Sequence, residues 1–269
     1  SAFMYLKCQK SGIGTTRRDY GFNLSDNDWQ LWLDTQAHWK NDSLYLPPVN
    51  LSKLPANPPS CGWDSLDQRG KTVHLPATIE EHYWNRFGNE YGISGNYKGV
   101  AWYTTTVSLP ESYRGKMLFL NFQSVRVRAE VYINGQLKGY DLLNGTPFSV
   151  EITDAVKYGK ENQIAVRITD PAGNFTWKDY KAYPWGNYMI PPSHGFGGIT
   201  GDIKLRVTDS TYIENVFMKN HPEPDEVSIR ITLNRPGTGN LNLKLSEKGN
   251  DTIILNHHLT INQLKKITV

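Results

Sequence analysis

Charge of one sign, long apolar runs and cysteine are all scarce in this sequence, and each scarcity excludes a class of function. Lys and Arg number 29 against 26 Asp and Glu, a net charge of +3. Because the two signs are interspersed along the chain, no concentrated basic face of the kind that binds nucleic acid is expected. No run of eighteen apolar residues occurs, so no helix is expected to cross a membrane. The two cysteines, Cys8 and Cys61, match no metal-binding spacing. They form one disulfide if the protein is exported, or remain two buried thiols. Seven histidines likewise show no metal spacing, so no metal and no cofactor is expected. The hydrolase elbow GxSxG, the zincin HExxH, the P-loop GxxxxGK[ST] and the redox CxxC are all missing. No signal peptide follows Ser1, and the first residue is not Met, so a processed N-terminus is expected.

What the chain has in plenty is aromatic surface: 12% of residues, with eight Trp and fifteen Tyr. Seven of these aromatics crowd into "NFTWKDYKAYPWGNYMIPPSHGFGGITG", Asn174 to Gly201: Phe175, Trp177, Tyr180, Tyr183, Trp185, Tyr188 and Phe196. They follow neither period 2 nor period 3.6, and prolines and glycines interrupt them, so no regular element is expected. A sugar ring presents a face of C–H groups and an edge of hydroxyls. Trp and Tyr stack on the face, while Asp, Asn, Lys and His hydrogen-bond the edge. Both classes are here: Trp177, Tyr180, Tyr183, Trp185 and Tyr188 beside Lys178, Asp179, Asn187 and His194. These nine are the candidate carbohydrate-binding residues. The plainer alternative is a plug of aromatics packed on one another over a β-sandwich.

From Ala101 onward the chain reads as short strands of period 2. "VRAEVYI" sets Val127, Ala129, Val131 and Ile133 against Arg126, Arg128, Glu130 and Tyr132, and Asn134-Gly135 follows as a tight hairpin turn. "PFSVEI", "QIAVRIT" and "DIKLRVT" repeat the alternation, so an antiparallel sandwich or jelly roll is expected, each strand with one buried face. Upstream, "WQLWLD" (Trp29 to Asp34) and "TVHLP" (Thr72 to Pro76) read as strands. The five-proline stretch "LPPVNLSKLPANPPSCG" between them reads as a long loop wrapping the sheets. After Ser210 the strands "VSIRITL", "LNLKLSE" and "TIIL", separated by "NRPGTGN" and "KGND", suggest an immunoglobulin-type sandwich. Such a domain needs roughly 100 residues, so residues 211–269 are expected to hold only part of one.

Other features carry less. "HGFGGITG" lacks the Lys-Ser/Thr of a phosphate cradle and precedes a strand, which points to a tight turn with close backbone approach. Glu80-Glu81-His82 reads as solvated strand surface, and His257-His258 as a polar strand edge.

The ordered motifs of residues 99–220 resemble the sugar-binding domain of glycoside hydrolase family 2, which includes β-galactosidases and β-glucuronidases. "GVAWYTTTVSLPE" is similar to its opening, and "LFLNFQSVRVRAEVYINGQLKGYDLLNGTPFSVEITDAVKYGKENQIAVRITD" continues it. "GFGGITGDIKLRVTD" is similar to its last strand, and "YIENVFMKN" to the entry of the immunoglobulin-like domain behind it. The chain departs where the family commonly has G-I-x-R, since Thr200, Gly201 and Asp202 follow Ile199. The N-terminal hundred residues match loosely, through Trp29 and "HLPATIEEHYW".

The resemblance implies an all-β fold: a galactose-binding-like jelly-roll sandwich over residues 1–210, then a partial immunoglobulin-like sandwich over 211–269. It implies a non-catalytic N-terminal portion of a retaining glycoside hydrolase, bacterial and exported. The two catalytic glutamates would lie on a (β/α)₈ barrel outside this chain. Oligosaccharide or polysaccharide and that barrel are the implied partners; neither nucleic acid nor membrane is. Unpaired strand edges in residues 211–269 lead to an expectation of self-association. A free-standing carbohydrate-binding module and a structural spacer are the competing expectations.

Overall fold

The computed structural model describes residues 2–9, 13–14, 21–37, 50–51, 56–87, 97, 99–126, 128–141, 145–170, 197–223, 226–247 and 253–269. It divides into two compact units. One comprises Phe22–Arg114 and Phe119–Leu205, the other Ser1–Gly21, Gly115–Leu118 and Arg206–Val269.

In the first unit a six-stranded antiparallel sheet runs β10 (Gln136–Asp141), β9 (Arg128–Ile133), β12 (Glu161–Asp170), β6 (Gly99–Ser108), β3 (Trp29–Asp34), β4 (Lys71–Val73). A three-stranded sheet runs β11 (Phe148–Glu151), β7 (Met117–Phe122), β14 (Ile203–Thr208). Alternation in the sequence selects one apolar face of the larger sheet: Leu31, Leu33, Tyr103, Val131, Val166 and Ile168 are all buried. Leu120, Phe122, Val150 and Leu205 are buried on the smaller sheet, so the unit is built as a two-layered sandwich. The hairpin between β9 and β10 turns at Asn134 and Gly135, with φ of 50° and 79°. Both residues need positive φ, which is why Asn-Gly occupies this turn. The all-β expectation holds, a sandwich unit followed by a second β unit.

The expectation of one buried face per strand fails at the centre of the large sheet. Every residue of β9 is buried, including Arg128, Glu130 and Tyr132. On β12 Arg167 and Thr169 are as enclosed as Val166 and Ile168. The cause is the proline-rich stretch, whose described part crosses the second face of the sheet. Asn57 N–H donates to the Tyr132 hydroxyl at 3.0 Å, and Ser60 N–H to Asp34 Oδ2 at 2.9 Å. The expectation of a loop wrapping the sheet is met, and it is this loop that dries the polar face. Behind it, α1 (Trp63–Leu66) buries Leu66 and sets the Trp63 ring against Trp102 and Tyr132, with centroids 5.5 and 5.0 Å apart. Cys61 in this stretch carries a free thiol.

A second correction concerns Glu80-Glu81-His82, expected as solvated strand. These residues lie on α2 (Ile79–Phe87), and Glu80 is buried while Glu81 is exposed. Thr78 caps the helix, its Oγ1 accepting the Glu81 N–H at 3.2 Å. Threonine three residues ahead of a glutamate is the capping-box spacing.

In the second unit β16 (Val227–Glu247) is the spine of a five-stranded sheet. Along it pair β1 (Ala2–Gln9), β15 (Thr211–Asn220) and β17 (Ile253–Thr268), and β2 (Ile13–Gly14) runs parallel to β15. Ile213, Ile229, Ile231, Leu233, Leu241, Leu243, Ile261 and Ile267 form its core. Two expectations are corrected here. "NRPGTGN" is not a turn between strands: β16 runs through it, and register shifts between Thr232, Gly237 and Gly239 absorb the misfit as bulges do. The N-terminal segment does not belong with residues 22–210, because β1 pairs along the far half of β16, Ala2 opposite Glu247 and Gln9 opposite Asn240. "KGND" lies outside the described residues.

Candidate functional site

The nine candidate carbohydrate-binding residues, Trp177, Lys178, Asp179, Tyr180, Tyr183, Trp185, Asn187, Tyr188 and His194, lie outside the described residues. What the structure shows is the frame from which that segment leaves and to which it returns. It leaves from the end of β12, where Asp170 stands opposite Gly99 of β6. It returns at Gly197, directly before β13 (Gly198–Ile199), a two-residue strand between β5 (Ala77–Thr78) and β8 (Val125–Arg126).

The return point is crowded. Gly198 has φ of +137°, and a Cβ there would sit 2.6 Å from the Ala77 carbonyl oxygen and 2.7 Å from the Tyr103 hydroxyl. Glycine is required on both counts, and the expected close backbone approach is borne out. The Tyr103 hydroxyl donates to Ala77 O at 2.9 Å. Burial pushes this phenol well above its ordinary pKa, and the neighbouring Glu80 charge adds to the effect. Tyr103 therefore stays protonated and serves as a donor, not as a base.

Glu80 closes the frame. Its Oε2 accepts the Gly197 N–H at 3.1 Å and its Oε1 the Tyr97 N–H at 3.2 Å. Ile79 N–H donates to Gly197 O at 2.9 Å, and Tyr97 OH donates to Val100 O at 3.0 Å. One buried carboxylate thus ties together the chain just before β6 and the chain just before β13. Sequence reading missed Glu80. The T-x-x-E spacing from Thr78 to Glu81 could have revealed the helix, but no sequence signal pairs residue 80 with residue 197.

A second buried polar cluster lies on the covered face of the large sheet. Arg167 Nη1 lies 2.9 Å and Arg128 Nη2 2.8 Å from Glu130 Oε1. Glu130 Oε2 accepts the Tyr132 hydroxyl at 2.7 Å, and Asn57 Nδ2 approaches the same carboxylate at 3.3 Å. Burial alone would raise the Glu130 carboxyl, yet the Arg167 and Arg128 guanidiniums hold it below the ordinary glutamate range. Burial, then the Glu130 charge, pushes the Tyr132 phenol far up. Nearby, Asp34 accepts from Ser60 Oγ at 2.5 Å and from Trp102 Nε1 at 3.2 Å.

These arrangements place limits on the chemistry. A retaining glycosidase needs two carboxyl groups about 5–5.5 Å apart across a scissile bond, one of them free to protonate a leaving group. Asp34, Glu80 and Glu130 are instead engaged by backbone N–H groups, hydroxyls, an indole or guanidiniums. Among the described residues no group of three or more His, Cys, Asp or Glu could hold a metal ion, and no helix is long and apolar enough to cross a membrane.

Comparison with known proteins points to one family. Residues 49–183 match the family model for the sugar binding domain of glycosyl hydrolases family 2. A β-galactosidase of Thermoanaerobacter pseudethanolicus is 30% identical over 175 residues, 64% of this chain and 22% of the relative. A β-glucuronidase of Formosa agariphila is 32% identical over 126 residues, 47% of this chain and 12% of the relative. The chain thus spans about a fifth or less of the length of these relatives. In fold it is similar to a glycosyl hydrolase family 2 member from Bacteroides cellulosilyticus, with a TM-score of 0.60 at 17% identity over 93% of this chain and 30% of that one. The β-glucuronidase of Ruminococcus gnavus gives 0.55 at 12% identity, covering 95% and 46%.

Proposed function

The chain belongs to glycosyl hydrolase family 2 through its sugar binding domain, and on that premise we propose that it is a non-catalytic, carbohydrate-contacting portion of a retaining glycosidase. The supporting observation is the pairing of an aromatic, polar-edged segment (174–201) with a frame that grips its return at Gly197 and Gly198. In this reading Trp177, Tyr180, Tyr183, Trp185 and Tyr188 supply stacking faces. Lys178, Asp179, Asn187 and His194 supply hydrogen bonds to hydroxyls. The partner that cleaves the glycosidic bond is a catalytic barrel outside this chain, and the segment forms one wall of its substrate site.

The test uses the full chain with a panel of β-galactosides and β-glucuronides. Intrinsic Trp fluorescence is expected to shift on titration, and Trp185→Ala is expected to abolish the response. The same preparation is expected not to hydrolyse aryl β-glycosides. Turnover by the chain itself, or a flat titration across the whole panel, overturns the proposal.

A further inference from the structure

We infer that β15 is a docking edge for a second copy of this chain, which joins it antiparallel and in a register centred on Phe217. The inference is independent of the carbohydrate reading. From Asn215 to Asn220 β15 pairs with β16 along one side, and among the described residues no strand pairs with it along the other. The short β2 meets Thr211 and Tyr212 alone. Such an edge presents a row of backbone N–H and C=O groups that can template another strand. Here it also presents apolar side chains: Phe217 and Met218 are each 55% exposed, and Val227, across from Asn220, is 43% exposed.

The two faces of this edge differ. Met218 stands opposite Ile229 and Val216 opposite Ile231, both core residues, so this face continues the core outward. Phe217 lies on the other face, opposite Arg230. The register shift between Ile213 and Asn215 marks a bulge, in which two residues, Glu214 and Asn215, oppose the single Thr232. Glu214 therefore shares the outer face with Asn215, Phe217 and Lys219, and all four are exposed.

A symmetric antiparallel pair has its two-fold axis perpendicular to the sheet, so each residue meets a partner on its own face. With the axis at Phe217, the two Phe217 rings meet, Val216 meets Met218, and Lys219 meets Asn215 with Glu214 beside it. Apolar pairs form on both faces, and the opposite charges of Lys219 and Glu214 come together twice. Moving the axis by one residue sets Phe217 against Asn215 or Lys219 and breaks the match. The other long edge, β17, offers no such complement. Among the described residues it pairs with β16 alone, and it carries Lys265 and Lys266 with no acidic residue between Ile253 and Thr268. A second copy finds no counter-charge there.

Sedimentation velocity of the full chain over a concentration series is expected to show a reversible monomer–dimer equilibrium. Glu214→Lys and Lys219→Glu each replace two attractions by two repulsions, and each is expected to weaken the dimer about tenfold. The double exchange restores opposite charges across the axis and is expected to recover wild-type association. Phe217→Cys under mild oxidation is expected to give a covalent dimer, in which peptide mass spectrometry finds residue 217 of one copy joined to residue 217 of the other. If an exchange variant does not fold, the presence of that link decides. A wild type that stays monomeric at every concentration overturns the inference and leaves the edge to another partner. Dimers that neither single exchange weakens, that the double exchange does not restore, or that lack the link at residue 217 overturn it too, because the copies then meet elsewhere or in another register.

Discussion

Arg167 and Glu130 form an ion pair at 2.9 Å with side chains only 1% and 2% exposed. They stand opposite one another across β12 and β9, on the face that an exposed sheet would turn to water. Enclosing such a pair is a poor way to gain stability, since desolvation offsets much of the Coulomb attraction. Its effect is one of specificity: the charges must be matched by Arg128, Tyr132 and Asn57, so only one placement of the covering loop satisfies them.

Removing one member should therefore cost far more than the pair contributes. Glu130→Gln leaves two guanidiniums enclosed beside a neutral amide, and a loss of about 3–5 kcal/mol in folding free energy is expected. Urea denaturation measures it. A loss below about 1 kcal/mol, the scale of an exposed ion pair, would show that water reaches the cluster.

Acid should undo the same cluster. The folded Glu130 carboxyl sits below the ordinary glutamate range, so the unfolded chain takes up the proton first as pH falls. The contribution of Glu130 is then fully present above about pH 4.3, the unfolded glutamate value, and is lost as pH falls through the folded value. The denaturation midpoint should drop on acidification below about pH 5, and the drop should be shallower in Glu130→Gln. Parallel pH profiles for the two proteins would refute this.

The covering loop can be followed through Cys61. Burial raises its thiol pKa, with Arg69 acting in the opposite sense, so less thiolate is present at neutral pH and labelling should be slow. Asn57→Ala removes one attachment of the loop to Glu130. Cys61 labelling by an aromatic disulfide, separated from Cys8 by peptide mass spectrometry, is expected to quicken severalfold in that variant. An unchanged rate would mean that Ser60 and Asp34 hold the loop by themselves.

Gly198→Ala tests the frame of the aromatic segment. The substitution sets a methyl group 2.6 Å from a backbone oxygen at φ of +137°. Strain and overlap together are expected to cost about 3 kcal/mol or more. Denaturant titration of the purified variant gives the value, and a cost under 1 kcal/mol would show that β13 can shift.

Much of the architecture was legible before any coordinate. Period-2 alternation located β3, β6, β9, β12 and β14, and Asn134-Gly135 located the hairpin. Asn162 carries more than the family string suggests: its amide donates to the carbonyls of Lys157 and Lys160 and accepts from Lys157 N–H, bracing the turn into β12. The extent of β16 was not legible, because Pro236, Gly237 and Gly239 look like a turn unless long neighbouring strands hold them straight. Nor was the partnership of β1 with β16, which joins segments more than two hundred positions apart.

The sequence by itself determined which residues share a strand face, where the chain reverses, which family the motifs belong to, and which segment is richest in aromatics. Those properties are local, set by side-chain alternation, turn chemistry and residue type. Only the tertiary structure decided that Arg128, Glu130 and Arg167 are enclosed and that Glu80 is a buried anchor and not solvated surface. Alternation says which side chains point the same way, but what lies over them depends on a loop arriving from elsewhere in the chain.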